Sequence, residues 1–195
     1  MTLIIGNGES RKHIDIEKLD FFKIGCNAIT RDYKVDLVSC CDKSMVRESI
    51  DRGVNQHTPI FTRDKWKSYF NNAYNINYYP TLPYSGSQRA DNPFHWGSGP
   101  YAVLLSATRN NCTNHLIGFD LYSTDGLQNN VYKDTDNYQS SSKKAVDPRY
   151  WIYQIGKIIE IFSEQKFVIY NNDDWQMPES WNKPNLIFDK IENLL

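Results

Sequence analysis

The sequence predicts an α/β fold in which one mostly parallel sheet carries helices on both of its faces. Short apolar runs, each too brief for a helix, alternate along the chain with segments of helical spacing, as in proteins built from strand–helix–strand units. Several of these runs are continuously apolar and rich in β-branched residues, which is typical of strands buried on both faces. The 195 residues contain no internal repeat and no low-complexity linker, so a single domain over residues 1–195 is expected.

Four strands are predicted in the first third of the chain, at residues 2–6, 22–26, 36–41 and 59–62. The first run ends in glycine, which predicts a buried strand that closes in a turn. Apolar residues at helical spacing accompany these strands and predict a brief helix or turn at 10–19, a short helix at 43–51 and a helical turn at 66–70.

The rest of the chain begins with a long loop at residues 78–99, where Pro, Ser, Gly, Asn and aromatic residues dominate. A helix of small residues at 99–108 and a buried strand at 115–119 follow. The segment 124–146 is polar, and we interpret it as the core of a mobile, lid-like loop over about residues 124–148. Three elements complete the chain, namely an amphipathic helix at 150–163, a strand at 166–170 and a docked helix at 184–195.

The charges are almost balanced, with 22 Lys and Arg against 23 Asp and Glu and a net charge of −1. No global field attracts nucleic acid or an anionic membrane, and the basic residues are scattered, so no nucleic-acid partner is expected. Aromatic residues make up 14% of the chain, including 13 Tyr, and Asn is frequent. Tyr and Asn suit a polar ligand such as a sugar or nucleoside, although the AT-rich codon usage of a phage or bacterial gene explains the same bias.

The four cysteines are Cys26, Cys40, Cys41 and Cys112. No pair has CxxC spacing, which argues against zinc and thioredoxin-type sites, and no metal site is predicted. The N-terminus has no basic segment before a long apolar stretch, so no signal peptide is expected. No apolar run approaches the ~20 residues of a membrane span. Together these features predict a cytoplasmic protein with reduced thiols and no membrane span.

The turn Gly6-Asn7-Gly8 follows the first predicted strand and is the strongest local signal for a binding site. Open α/β sheets bind ligands at the carboxyl ends of their strands, and a glycine-rich first turn lets backbone N–H groups approach a phosphate. The GxGxxG pattern is incomplete because Arg11 stands near the place of the third glycine, and the Lys-Ser/Thr of a P-loop is missing. Many such turns contain glycine for steric reasons alone, and this alternative stays open.

Other polar residues follow predicted strands or begin the small-residue helix, and they strengthen the hypothesis of a pocket. Each alone has a structural explanation as a turn or cap residue. Because the carboxyl ends of parallel strands meet at one edge of a sheet, these residues are expected to line a Rossmann-like nucleotide site together. The candidate binding residues are Gly6, Asn7, Gly8, Ser10, Asn27, Asp42, Ser98, Gly99 and Asp120.

The order of these segments resembles the bacterial lipooligosaccharide sialyltransferases, which use CMP-sialic acid. That family has an apolar strand running into Gly-Asn-Gly, a strand ending in Cys-Asn, a polar residue after the next strand, a Ser-Gly before a small-residue helix, and a strand ending Gly-Ile-Asp-Phe-Tyr. The matching segments are residues 3–8, Cys26-Asn27, Asp42, 98–103 and 117–122, with Tyr132 in the place of the family's second lid tyrosine. No counterpart of the family's C-terminal membrane-associating part is expected in these 195 residues.

The resemblance implies a transferase that moves a sugar from a CMP-activated donor to a glycan or another hydroxyl acceptor, without a cofactor. In this scheme the first turn lines the phosphate and ribose of CMP, Asn27, Ser98 and Gly99 hold the nucleotide, and Asp120 lies beside it. Tyr122 and Tyr132 would neutralise the departing phosphate by hydrogen bonding, which allows a metal-independent reaction. The alternative is a non-catalytic or repurposed cytidine-nucleotide-binding protein of the same fold, and a homo-oligomer is left open.

The general base is the main departure from the family, which places a histidine just before the helix that begins here near Tyr150. Asp147 occupies that region, and His95 in the long loop is the other candidate base. Asp147-Pro148 also reads as an N-cap followed by proline. A Rossmann oxidoreductase is disfavoured, because Asn27 stands where that class has an acidic ligand of the ribose.

Overall fold

The computed structural model describes residues 1–109 and 113–194. Within these residues, eight strands form one sheet in which every neighbouring pair is parallel. This confirms the predicted α/β, Rossmann-like architecture. The strands are β1 (Thr2–Ile5), β2 (Phe22–Cys26), β3 (Leu37–Ser39), β4 (Ile60–Thr62), β5 (Ile76–Tyr78), β6 (Thr113–Ile117), β7 (Lys166–Asn171) and β8 (Leu186–Lys190).

The strand order is β5-β4-β3-β2-β1-β6-β7-β8. The chain builds outwards from β1 in one direction, then returns to add β6 on its other side. β1 therefore pairs with β2 through Ile4↔Ile24 and with β6 through Ile4↔Leu116. In open α/β sheets such a reversal leaves a crevice beyond the carboxyl ends of the two central strands, and ligands bind in that crevice.

Helices cover both faces of the sheet, as predicted. One face packs against α3 (Ser98–Thr108) and α4 (Arg149–Ile161), and the other against α1 (Lys43–Asp51), the short α2 (Lys67–Phe70) and several 3-10 turns. Side chains alternate between the faces along each strand. In β1, Ile4 therefore joins the α3–α4 core, whereas Leu3 and Ile5 join the other one.

α3 is the central helix of the fold and directs its N-terminus towards the carboxyl edge of the sheet. Nine of its 11 residues are buried, because it lies between the sheet and α4. Small side chains such as Ala102 and Ala107, both fully buried, allow this close packing. The prediction of a small-residue helix packed on the sheet is confirmed.

The prediction needs correction at both edges of the sheet, where one element was assigned wrongly and one was missed. The tail 184–195 was predicted to be a helix, but it forms the edge strand β8 and then a 3-10 turn at Ile191–Leu194, while Leu195 lies outside the described residues. The Asn185 side chain donates to the carbonyl oxygens of Ile159, Phe162 and Gln165. These bonds attach the segment before β8 to the connection between α4 and β7. β5 has only three residues and was not predicted.

The segment of about residues 124–148 contains no helix or strand among the described residues, and one isolated bridge, Leu127↔Lys144, closes it. Its middle is packed against the first turn. The Val131 amide donates to the carbonyl oxygen of Asn7 at 2.9 Å, and Tyr132 is only 5% exposed. The long loop is confirmed, and its motion as a lid stays a prediction.

No helix within residues 1–109 and 113–194 is long and apolar enough to cross a membrane. Cys26, Cys40 and Cys41 are free and buried, whereas Cys112 lies outside the described residues. Burial raises the pKa of the Cys26 thiol to about 12, so this thiol stays protonated and unreactive at neutral pH.

His115 in β6 is buried, while the other three histidines are exposed or half-buried. Its Nδ1 lies 3.0 Å from the hydroxyl of Tyr170, and its Nε2 has no partner among the described residues. Burial, followed by the positive charges of the N-terminus and Lys166, lowers the pKa of this imidazole below its usual range. His115 is therefore neutral in the folded protein at pH values where an unfolded histidine is protonated.

We expect His115 to make the protein less stable as the pH falls below about 6.5, the value for an unfolded histidine. There the unfolded chain binds the additional proton, so this residue lowers the free energy of unfolding by at most about 1.4 kcal/mol per pH unit. Above about pH 6.5 its contribution is fully present. Urea unfolding of the wild type and His115→Gln at neutral and acidic pH measures the difference, which should shrink on acidification. A difference independent of pH would contradict this assignment.

Candidate functional site

A cavity of about 280 Å³ lies at the carboxyl edge of the sheet, where the strand order reverses. Its walls come from the ends of β1, β2, β3, β4 and β6, the N-terminus of α3, one turn of α4 and the long loop. The lining residues include Gly6, Asn7, Gly8, Asn27, Asp42, Arg63, Gly97, Ser98, Gly99, Gly118, Asp120, Asn129, Asn130 and Trp151. Eight of the nine predicted binding residues thus line one cavity, and Ser10 contacts it through Asp120.

The glycines of the first turn are required by close approach to the end of β6. A Cβ on Gly6 would lie 2.3 Å from the carbonyl oxygen of Gly118, and one on Gly8 would lie 2.3 Å from Oδ1 of Asp120. Gly118 itself has φ +68°, a conformation that glycine adopts without strain. The two central strands can therefore converge at the cavity only with glycine at these positions.

Four backbone amides in and directly after the first turn are already engaged by the protein. Gly6 and Gly8 donate to the carbonyl oxygens of Ile117 and Gly118, both at 2.8 Å. The next two amides, of Glu9 and Ser10, donate at 2.8 Å to Asn129 Oδ1 and at 2.9 Å to Asp120 Oδ2. The turn is therefore a rigid wall of the cavity, and phosphate binding by all its amides, as in GxGxxG sites, is not available in this arrangement.

Asp120, which lies shortly after β6, holds the first turn in place. Its carboxylate accepts from both the amide and the hydroxyl of Ser10, and its carbonyl oxygen accepts from Nε1 of Trp175 at 2.7 Å. The carboxylate lies where the turn would otherwise offer free N–H groups to an anion. Sequence reasoning placed Asp120 beside the nucleotide, and the structure shows that it also positions the turn.

Asn27, Ser98 and Cys41 join β2, β3 and α3 at the floor of the cavity. Asn27 has φ +49°, and its Oδ1 accepts from Ser98 Oγ at 2.7 Å. Ser98 Oγ also accepts from the amide of Cys41 at 2.9 Å. The Ser98 side chain is thus used between strands and does not cap the helix that it begins.

The N-terminus of α3 consequently faces the cavity uncapped. Gly97, the N-cap residue, has no side chain, and no described residue accepts a hydrogen bond from the backbone amides of Ser98 and Gly99. Pro100 has no N–H group to satisfy. The positive end of the helix dipole and two free donors are therefore presented to a ligand.

Arg63 supplies the positive charge of the cavity, and sequence reasoning missed it. It directly follows β4, and its Nη2 donates to the carbonyl oxygen of Trp96 at 2.6 Å. Its Nε is buried and has no hydrogen-bond partner among the described residues. The sequence contained a signal that could have found it. Arg63 is a charged residue directly after the fourth predicted strand, the same place that the polar site residues occupy after other strands. With the end of α3, Arg63 makes this cavity suited to an anionic group.

Asp42 lines the same cavity, and its carboxylate is available. It is the N-cap residue of α1, but its side chain makes no capping hydrogen bond. The residue is exposed, and no described cation lies within ion-pair distance of its carboxylate. A carboxylate of this kind can accept a proton or a hydrogen bond from a ligand hydroxyl.

The four residues predicted to be catalytic are not among the residues that line the cavity. Tyr122 is exposed beyond the end of β6, whereas Tyr132 is buried in the core of the opposite face, where its hydroxyl accepts from Arg11 at 3.3 Å. Burial raises the pKa of Tyr132 above its usual value. The structure therefore does not bring these two hydroxyl groups together at the cavity.

The two predicted bases also lie outside the cavity lining. Asp147 accepts from the amide of Arg149 at 3.0 Å and pairs with its guanidinium, and these bonds lower the pKa of the carboxyl group. The ring of His95 packs edge-on against Phe94 and Tyr150. Both positions have structural partners. The N-cap residue of α4 is Pro148, so Asp147 lies one residue before the cap position that the alternative interpretation gave it.

Comparison of the chain with protein-family models, curated proteins and solved structures finds no significant match. Within residues 1–109 and 113–194, no group of three or more His, Cys, Asp or Glu side chains is placed to hold a metal ion. What the cavity binds must therefore be inferred from its own chemistry.

Proposed function

We propose that the cavity binds a cytidine monophosphate group, as the donor half of a sialyltransferase-like, metal-independent glycosyl transfer. The observation that carries this proposal is the pairing of Arg63 with the uncapped N-terminus of α3 inside a cavity at the switch point of a parallel sheet. In α/β proteins this is where nucleotides bind. The resemblance to the CMP-sialic acid enzymes favours cytidine as the nucleoside and a CMP-activated sugar as the donor.

The positive groups of the cavity indicate where the phosphate would bind. The amides of Ser98 and Gly99 and the guanidinium of Arg63 offer donors to phosphate oxygens. Four amides in and after the first turn, those of Gly6, Gly8, Glu9 and Ser10, are used within the protein. Charge-assisted hydrogen bonds of this kind are about twice as strong as neutral ones. The same donors would stabilise the negative charge that develops on a departing phosphate.

The size and walls of the cavity favour one nucleoside with one phosphate over a dinucleotide. Its volume of about 280 Å³ lies just below the roughly 300–1,000 Å³ of small-molecule sites. Four asparagines, Asn7, Asn27, Asn129 and Asn130, line it. Their atoms that make no bond within the protein, such as the buried Oδ1 of Asn7, can hydrogen-bond to the polar edges of a pyrimidine and a ribose. β2 is followed by Asn27 and not by the acidic residue of NAD-binding proteins.

In the proposed transfer, the bond between the anomeric carbon and the phosphate oxygen breaks, and CMP leaves with both electrons. The acceptor hydroxyl forms the new bond to the anomeric carbon and gives its proton to a base. Asp42 is a carboxylate of the cavity that has no capping bond, which makes it a candidate for this base beside the predicted Asp147 and His95. Positioning of the two substrates in the cavity would lower the barrier by turning a bimolecular step into an effectively unimolecular one.

The second candidate function is nucleotide binding without sugar transfer. It is favoured by one observation, the placement of all four predicted catalytic residues outside the residues that line the cavity. A protein that kept the CMP site and changed its acceptor half would have this arrangement. The two candidates share the ligand and differ only in turnover.

We expect CMP to stabilise the protein against thermal unfolding by about 2.7 kcal/mol at a concentration of 100 times its dissociation constant. UMP, AMP and NAD, each at the same concentration as CMP, serve as matched controls and should give smaller shifts. No shift with any cytidine nucleotide would contradict both candidate functions.

If CMP binds, hydrolysis of CMP-sialic acid by the wild type, Asp42→Asn, Asp147→Ala and His95→Ala separates the two candidate functions. Loss of hydrolysis in one variant that still binds CMP identifies the base, and no hydrolysis by the wild type favours the second candidate.

A further inference from the structure

A second surface adjoins the cavity beyond the ends of β3 and β4. Three cations and three aromatic rings meet there, and we call them the aromatic–basic surface: Lys43, Arg63, Lys65, Trp66, Tyr69 and Phe94. Arg63 belongs to the cavity lining as well. Nε1 of Trp66 donates at 2.9 Å to the carbonyl oxygen of Cys41, another lining residue. The surface is therefore continuous with the cavity.

The lysines of this surface are held over the aromatic rings. Nζ of Lys43 lies 3.9 Å from the ring centre of Tyr69, and Nζ of Lys65 lies 4.2 Å and 4.1 Å from those of Trp66 and Phe94. Cation–π contacts of this kind order side chains that would otherwise move freely. Tyr69 and Phe94 are nevertheless 55% and 56% exposed, so both rings and charges are accessible from outside.

Among the described residues, no ion pair neutralises these positive charges. Two carboxylates, Asp42 and Asp64, lie in the same segments, but no ion pair among the described residues joins either of them to Lys43, Arg63 or Lys65. Burial and the neighbouring charge of Arg63 lower the pKa of Lys65. An external anion would complement this set of charges.

We propose that the aromatic–basic surface binds the acceptor, and that the acceptor is an anionic glycan carrying carboxylate, sulfate or phosphate groups. This inference rests on the glycosyl transfer proposed above. The exposed parts of Tyr69 and Phe94 offer apolar contact to a sugar, and the ordered lysines bind the acidic groups. An acceptor held here would direct its hydroxyl group into the adjoining cavity.

Single-stranded nucleic acid is the other polyanion that combines with aromatic and basic residues, and the geometry disfavours it. Bases bind such proteins by stacking on open ring faces. Here Tyr69, Trp66 and Phe94 each carry a lysine ammonium group over the ring. A glycan with acidic groups uses the charges directly and requires only partial contact with the rings.

The test compares three probes by isothermal titration: a sulfated oligosaccharide prepared from heparin, a neutral glucan and an oligothymidylate, all of similar length. We expect the sulfated oligosaccharide to bind most tightly. Lys43→Gln/Lys65→Gln should weaken this binding by about tenfold, the effect of removing two exposed charged contacts. The matched control, Lys34→Gln/Lys183→Gln, changes the net charge equally at the amino edge of the sheet and should leave the affinity unchanged.

CMP binding, measured in parallel, separates this inference from the proposed function. Unchanged CMP affinity in Lys43→Gln/Lys65→Gln supports a distinct acceptor surface. Equal binding of the neutral glucan, tighter binding of the oligothymidylate, or equal losses in the control variant would overturn the inference. Binding of the sulfated oligosaccharide to a protein that does not bind CMP would contradict the proposed function and still support an anionic-glycan site here.

Discussion

Replacing Gly6 with alanine is expected to lower the free energy of unfolding by about 2–3 kcal/mol and to abolish CMP binding. The new Cβ would lie 2.3 Å from the carbonyl oxygen and 3.0 Å from the carbonyl carbon of Gly118. Both are backbone atoms, so no side-chain rotation relieves the contact. β1 and β6 would have to separate at their carboxyl ends, where the amide of Gly6 now donates to Ile117 at 2.8 Å.

Urea unfolding and titration with CMP measure the two effects of this substitution. Gly126→Ala is the matched control, because Gly126 has φ +75° but nothing within 4 Å of its Cβ position. Its left-handed conformation alone costs alanine roughly 1 kcal/mol, and CMP binding should be retained. If Gly6→Ala were no more destabilising than the control and still bound CMP, the close approach of the two strands would not shape the cavity.

Most of the fold could be predicted from local pattern. The six predicted strands correspond to six observed ones, because continuous apolar runs with β-branched residues are distinctive for buried parallel strands. The errors lie at the sheet's edges. In β8, Leu186 is buried while Ile187 is 43% exposed, and the apolar residues of this half-exposed strand resemble one side of a helix. The short β5 is extended because it pairs with β4. Its own three residues carry no pattern that predicts this pairing.

The cavity walls were predictable for a topological reason. Residues after parallel strands share one edge of the sheet, so Asn27, Asp42 and Asp120 converge although they are far apart in sequence. The uncapped end of α3 was not predictable, since Ser98 reads as a cap and only the structure shows its hydroxyl bonded to Asn27. The placement of Tyr132 depends on the path of a loop without periodicity, for which the sequence carries no pattern.

Arg63 provides the sharpest test of where the phosphate binds. Arg63→Met keeps the aliphatic part of the side chain and removes the charge and the donors. We expect the affinity for CMP to fall by about 10–100-fold, the effect of losing a hydrogen bond between charged groups. The affinity for cytidine, which has no phosphate, should change little. Titration of each variant with both ligands gives the ratio of the two losses, and that ratio reports the phosphate contact alone.

Two variants make this comparison decisive. Arg63→Lys keeps the charge without the planar donors and should recover part of the CMP affinity, whereas Arg52→Met removes an exposed arginine of α1's C-terminal end and should change neither affinity. Because Arg63 also donates to Trp96, its loss can loosen the cavity wall, and such loosening weakens CMP and cytidine equally. Equal losses would therefore make Arg63 a structural residue and leave the end of α3 as the phosphate site. A loss confined to CMP identifies Arg63 as a phosphate ligand. The positive charge that selects the ligand would then come from a residue that the sequence analysis did not include in the site.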